Sequence, residues 1–226
     1  MTRNITIPSA LRALLFAAVL PLIQPALAQR DSSDMHTLFG GARTIKHGGW
    51  GGPSAVYTRM LDQEALLVGF KAGWLINHRF SMGLAGYGLV TEVKNPAYDT
   101  YLQQSGQIIL QPSQFEMGYG GLLLESIIAY KSPVHVSLPV LIGAGGCTYQ
   151  RVTPPTLWSD SLSYVDDSQA FFVVEPGIDI ELNVTRYLRL GLGGSYRLTS
   201  DMELPATAKD ALHGINAALT IKVGVF

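Results

Sequence analysis

Residues 172–198 read FVVEPGIDIELNVTRYLRLGLGGSYRL. Phe172, Val174, Ile178, Ile180, Leu182 and Val184 alternate with Val173, Glu175, Gly177, Asp179, Glu181 and Asn183. After the turn Asn183-Val184-Thr185-Arg186, Leu188, Leu190, Leu192, Gly194, Tyr196 and Leu198 interleave with Arg189, Gly191, Gly193, Ser195 and Arg197. Successive side chains of a strand point to opposite faces, so a period of two marks a strand with one apolar and one polar face. Two such strands on a tight turn make an antiparallel hairpin, apolar on one side and charged on the other.

The same period recurs along the chain. Leu66, Val68, Phe70, Ala72, Trp74 and Ile76 form one apolar file; Val134, Val136, Leu138, Val140 and Ile142 form another. Ile215, Ala217, Leu219, Ile221, Val223 and Val225 form the last. The stretches 79–90 and 115–128 are richer in glycine and less regular, and 52–60 is the least regular. Together they predict eight strands, at 52–60, 65–77, 79–92, 114–130, 133–149, 169–184, 186–200 and 211–226. The connections are sorted by length. The turns at 77–78, 130–133 and 183–186 are tight, whereas 93–113, 150–168 and 201–210 are long and polar; only 61–64 is a short link on the long-loop side. Short inner turns with long outer loops are the outer-membrane pattern. The expected fold is all-β: an eight-stranded antiparallel up-and-down transmembrane β-barrel over 51–226.

The N-terminus supports that location. Arg3 and Arg12 flank a segment without acids, Ala13 to Ile23 is apolar, and Ala26-Leu27-Ala28 offers a signal-peptidase site. The apolar run is too short for a bilayer, which takes ~20 helical residues. Residues 1–28 therefore read as a cleaved secretory signal peptide, and 29–50 as an N-terminal periplasmic segment. A secreted chain without a later apolar helix enters a membrane only as a closed barrel. The expected location is the bacterial outer membrane, with outer-membrane lipid as partner. Charged residues make up 15% of the chain, and 16 Lys+Arg against 17 Asp+Glu leave no basic excess for nucleic acid. The single cysteine, Cys147, excludes an internal disulfide and a cysteine zinc site, and reads as a small buried residue.

If the apolar files face lipid, the other parity faces the lumen. It carries Lys71, Glu125, Glu175, Asp179, Glu181, Arg189, Arg197 and Lys222. Side chains fill an eight-stranded interior, and buried charges need partners. The expected lumen is a salt-bridged plug, with Glu175, Asp179 and Glu181 facing Arg189 and Arg197; a narrow conduit for small or apolar solutes is the alternative. Asp179 and Glu181 share a face, but neighbouring arginines account for both without acid–base chemistry. A lipid-modifying enzyme would draw on His135 with Ser137, or on His213, yet His135 has no evident acid partner. The histidine spacing fits no metal motif. The expectation is a non-enzyme without cofactor or metal. A soluble periplasmic ligand-binding barrel would need the opposite arrangement, apolar inside and charged outside. Tyr98, Tyr101, Tyr149, Trp158 and Tyr164 in the long loops read as an aromatic girdle at the bilayer rim. An external ligand at loops 93–113 and 150–168 is the alternative.

The closing run Ile221-Lys222-Val223-Gly224-Val225-Phe226 resembles the C-terminal signal by which outer-membrane barrels reach the barrel assembly machinery. That resemblance implies the machinery as a partner and Phe226 as the assembly signal. The family pattern puts the terminal aromatic on the apolar parity, whereas here that parity is 221, 223, 225; a bulge near Gly224 would restore it. Gly48 to Val90 and Val174 to Thr185 resemble uncharacterised small outer-membrane β-barrel proteins of the Bacteroidetes type. The architecture is similar to the transmembrane domain of outer-membrane protein A. The resemblance implies a structural or surface-interaction barrel and names no solute or substrate.

Overall fold

The computed structural model describes residues 45–107, 109, 111–153 and 162–226. The expected signal peptide and most of the expected periplasmic segment lie outside the described residues, as do Trp158 and the side chain of Tyr164 in the long loop 150–168.

Strands β1 (His47–Met60), β2 (Gln63–Ile76) and β3 (Phe80–Leu89) form a meander. After β4 (Val93–Lys94) and a helix α1 (Pro96–Gln104) come β5 (Gln114–Ile128), β6 (Val134–Thr153), β7 (Leu162–Thr185), β8 (Leu188–Thr199) and β9 (Gly214–Val225). Eight strands pair antiparallel in a ring: β3 pairs with β5, and β9 returns to β1 with Gly49 opposite Val225 and Thr58 opposite Asn216. Closure leaves the ring without an edge, which a lipid environment requires. β4 stands outside the ring, two residues added to the outer end of β5.

The faces follow the alternation. Phe172 and Ile215 are each 75% exposed and Leu84 67%, within a belt that includes Phe70, Trp74, Ile142, Ile180, Leu192 and Leu219. Apolar exposure on this scale around a whole barrel is a membrane surface. Inside, no charged residue of the expected lumen set exceeds 8% exposure. A soluble ligand-binding barrel requires the inverse arrangement. The tight turns 77–79, 129–133 and 186–187 gather at one end, the periplasmic one, and the long connections at the other.

Three features depart from the alternation. β1 begins at His47, so residues 47–50 belong to the barrel and not to a periplasmic segment ending at 50. Gly48, Gly49, Gly51 and Gly52 hide the period there, and only Trp50 reveals a face. The indole of Trp50 enters the lumen because β2 carries Gly73 opposite it; a Cβ at Gly73 would lie 3.1 Å from the ring. The β6–β7 hairpin extends into the expected loop 150–168, pairing to Thr153 and Leu162. The loop 93–113 is not featureless, since it holds β4 and α1.

Candidate functional site

The lumen holds its charges in tiers. At the periplasmic end, Lys222 Nζ lies 2.5 Å from both Glu125 Oε1 and Glu181 Oε1, and 4.1 Å from the Trp50 ring centroid. Glu181 is the hub. Ser137 Oγ donates to its Oε1 at 2.9 Å, while His135 Nε2 at 3.1 Å and Arg189 Nη1 at 3.8 Å reach its Oε2. The β6–β7 register explains this: His135 is the direct partner of Glu181, and Ser137 of Asp179. His135 thus has the acid partner that the sequence did not reveal.

In the middle tier, Lys71 Nζ stands 3.8 Å from Asp179 Oδ2. Gly193 makes room for that carboxylate, since a Cβ there would overlap it. Toward the outer end, Glu175 accepts from Tyr119 Oη at 2.7 Å and from Ser195 Oγ at 2.5 Å, and Asn216 Nδ2 donates to Ser195 Oγ at 3.2 Å.

Arg197 corrects an expectation. Among the described residues it pairs with no carboxylate: its Nε donates to the Leu212 carbonyl at 2.7 Å, and its guanidinium lies 5.7 Å from the Tyr119 ring centroid. The Tyr119 hydroxyl holds Glu175, and the loop returning to β9 supplies a carbonyl that the alternation of charges could not show. Neutral couplers such as Trp50, Tyr119, Ser137, Ser195 and Asn216 share the inward parity of the charges, which is the signal that would have found them.

Among these groups remains a cavity of about 20 Å³, bordered by Lys71, Tyr87, Glu175, Asp179 and Ser195. That is room for about one water. Carboxylate oxygens of Glu125, Asp179 and Glu181 lie within 4.8 Å of one another, a spacing that could hold a cation. The ammonium of Lys222 already bridges two of the three, and Lys71 faces the third.

The outer mouth is closed differently. Asn95 caps α1, accepting from the amides of Ala97 and Tyr98 at 3.1 and 3.3 Å, with Pro96 opening the helix. Its amide nitrogen donates to Tyr149 Oη at 2.7 Å and to the Ala206 carbonyl at 3.1 Å. Tyr98 stacks on Tyr149 with centroids 3.9 Å apart, and its hydroxyl donates to Asp167 at 2.6 Å. Tyr149 Oη shares a 2.8 Å hydrogen bond with Thr207 Oγ1. Leu102 of α1 and Met202, Leu204 and Leu212 of the connection before β9 are buried as well. Tyr98 and Tyr149, both 0% exposed, are therefore a lid and not a girdle, while Tyr101 is exposed. A girdle needs rings at the lipid boundary; α1 and the inward parity of β6 turn these two into the mouth.

The terminal residue also points inward. The β8–β9 ladder runs without a bulge through Leu188 opposite Val223, so Phe226 keeps the parity of Lys222, and its ring centroid lies 3.8 Å from the Arg189 guanidinium. His213 Nε2 meets the Thr199 carbonyl at 2.9 Å. It borders a cleft of about 660 Å³ at the outer mouth, with Arg59, Lys94, Asn95 and Asp210.

A closed antiparallel ladder, an apolar outer belt, a charged interior and sorted loops define the class: this is a small outer-membrane β-barrel. No protein-family model and no curated sequence matches the chain. Solved structures similar to it include Neisserial surface protein A, 13% identical over 81% of this chain and 99% of that one, with a TM-score of 0.49. The N-terminal β-barrel domain of Pseudomonas aeruginosa OprF is 8% identical over 77% and 96%, at a TM-score of 0.41. The attachment invasion locus protein of Yersinia pestis is 11% identical over 79% and 97%, at 0.43. These likenesses concern the barrel alone.

Proposed function

We propose that the protein acts from its ends and not through its middle: a closed, non-enzymatic barrel that anchors surface loops in the outer membrane for a structural or surface-interaction role. The observation that carries this reading is the interior: among the described residues its charges are paired or hydrogen-bonded in tiers, and the space left between Lys71, Glu175 and Asp179 is about 20 Å³. Conduction would require the Lys222–Glu125–Glu181 contact to part and the Tyr98–Tyr149 lid to lift together. The candidates for lipid chemistry favour the same reading. His135 and Ser137 are 2% and 0% exposed, and both are committed to Glu181. The place for an external ligand is the outer cleft beside Arg59, Lys94 and His213.

Planar-bilayer recording of the refolded chain tests the reading. The expected trace is silent at every voltage the bilayer withstands. Reproducible single-channel steps, abolished on heat denaturation, would overturn it in favour of a narrow conduit.

A further inference from the structure

The exposed charges of the barrel are segregated. The described outer loops and strand ends carry Asp62, Glu64, Glu92, Glu116, Asp201 and Asp210, interspersed with a few bases. The periplasmic turns and the start of β1 carry Lys46, Arg79, Lys131 and Arg186 and, among the described residues, no acidic side chain. His78 sits in this basic collar, and burial together with the charges of Lys46 and Arg189 holds its imidazole below the usual value.

The collar contains a shaped groove. Where β3 begins beside the β5–β6 turn, a cavity of about 440 Å³ is bordered by Arg79, Ile127, Ile128, Ala129, Tyr130 and Lys131. The Arg79 carbonyl accepts from Ile127 N at 2.7 Å, which fixes that residue to β5. Its guanidinium stands 5.4 Å from the Tyr130 ring centroid. The turn is closed by Ser132 N donating to the Ala129 carbonyl at 2.9 Å. Ile128 is 52% exposed and continues into the lipid-facing belt with Phe80 and Met82. Arg79 and Lys131 have no carboxylate within ion-pair distance among the described residues. The groove therefore has an apolar wall open to acyl chains, an aromatic at interfacial depth, and two cations lacking counter-charge.

We propose that this groove binds the headgroup of an anionic phospholipid of the periplasmic leaflet, with Arg79 and Lys131 contacting its phosphodiester. Arg offers a planar fork to phosphate and Lys a mobile point charge. The belt below takes the acyl chains, so the lipid and not its headgroup alone is the ligand.

The test is native mass spectrometry of the refolded full chain in a non-ionic detergent, titrated with dioleoyl phosphatidylglycerol or dioleoyl phosphatidylethanolamine. Retention of one phosphatidylglycerol in preference to phosphatidylethanolamine is expected. Arg79→Ala with Lys131→Ala should weaken that retention about 25-fold, roughly fivefold per cation at an anionic surface. The control Lys209→Ala, an exposed cation of the outer end, should leave it unchanged. Equal retention of the two lipids overturns the proposal, as does unchanged retention by a double variant that still shows heat-shifted migration. Equal affinity for tail-free glycerophosphoglycerol would mean a simple anion site, and a dimer in place of the lipid adduct would mean that a second copy fills the groove; either also overturns it. Should the double variant fail to fold, the wild-type preference decides. It should collapse at high salt, and its persistence there overturns the proposal.

Discussion

The two mouths of this barrel are shut by opposite chemistry. At the periplasmic end Lys222, Glu125, Glu181 and Arg189 form an ionic knot under the ring of Phe226. At the outer end the uncharged side chains of Tyr98, Tyr149, Asn95 and Thr207, with Asp167 accepting from Tyr98, form a stacked and hydrogen-bonded lid on a nine-residue helix. The knot joins β5, β7, β8 and β9, strands that the ring already holds. The lid ties α1 and the 201–213 connection, which the ring does not hold, to Tyr149 on β6. Breaking the knot should therefore unfold the barrel, whereas breaking the lid should open a loop and leave the barrel standing.

The largest effect is expected from Lys222→Met. It leaves Glu125 and Glu181, at 1% and 0% exposure, without the cation between them. Removing one partner of a buried ion pair costs about 3–5 kcal/mol. Urea unfolding in micelles, followed by the loss of heat-shifted migration, reads this directly. The double variant Glu125→Gln, Lys222→Met should recover part of the loss, because Glu181 then keeps Arg189 as its cation and no unpaired carboxylate stays buried. A double variant weaker than the single one would show that the knot stabilises by more than neutralising itself.

Asn95→Ala is the matching change in the lid. It removes the cap of α1 and the bonds to Tyr149 and Ala206. The expected cost is about 2 kcal/mol, from a cap worth ~1 and a buried hydrogen bond of similar size. It should be local: faster amide exchange over 95–104 with an unchanged urea midpoint for the barrel. Tyr149→Phe, which loses only the hydroxyl, should do the same with about 1 kcal/mol. Neither variant should conduct, since the knot remains beneath the opened lid. A global midpoint shift in Asn95→Ala equal to that of Lys222→Met would erase the distinction between the mouths.

The same contrast explains what the sequence shows. The knot's residues lie on strands, where a period of two assigns a face to every side chain. Glu181 and Lys222 could thus be placed inside from their neighbours alone. Their partners could not: pairing His135 with Glu181 needs the register across a hairpin whose outer loop has no fixed length. The lid was invisible for another reason. α1 buries only Tyr98 and Leu102, a single i, i+4 pair, too little for helical periodicity to register. Asn95-Pro96 was the available signal, a capping residue followed by proline at the first helical position. The start of β1 was lost because glycine has no side chain to alternate.

The smallest effect is expected at the chain end, on the periplasmic side of the knot. Phe226 resembles an assembly signal in sequence, and in the structure its ring covers Arg189 from the periplasmic side. Phe226→Ala removes a cation–π contact, worth about 1 kcal/mol at a half-exposed site. Refolding in micelles and the urea midpoint should change only by that amount. If Phe226 also addresses the assembly machinery, the outer-membrane yield in cells should fall far more than so small a loss explains. A yield that falls only in step with the midpoint would leave Phe226 as the stopper of the ionic knot alone. Phe226→Tyr separates the two roles further, because it keeps a ring over Arg189 and should restore the midpoint whether or not it restores the yield.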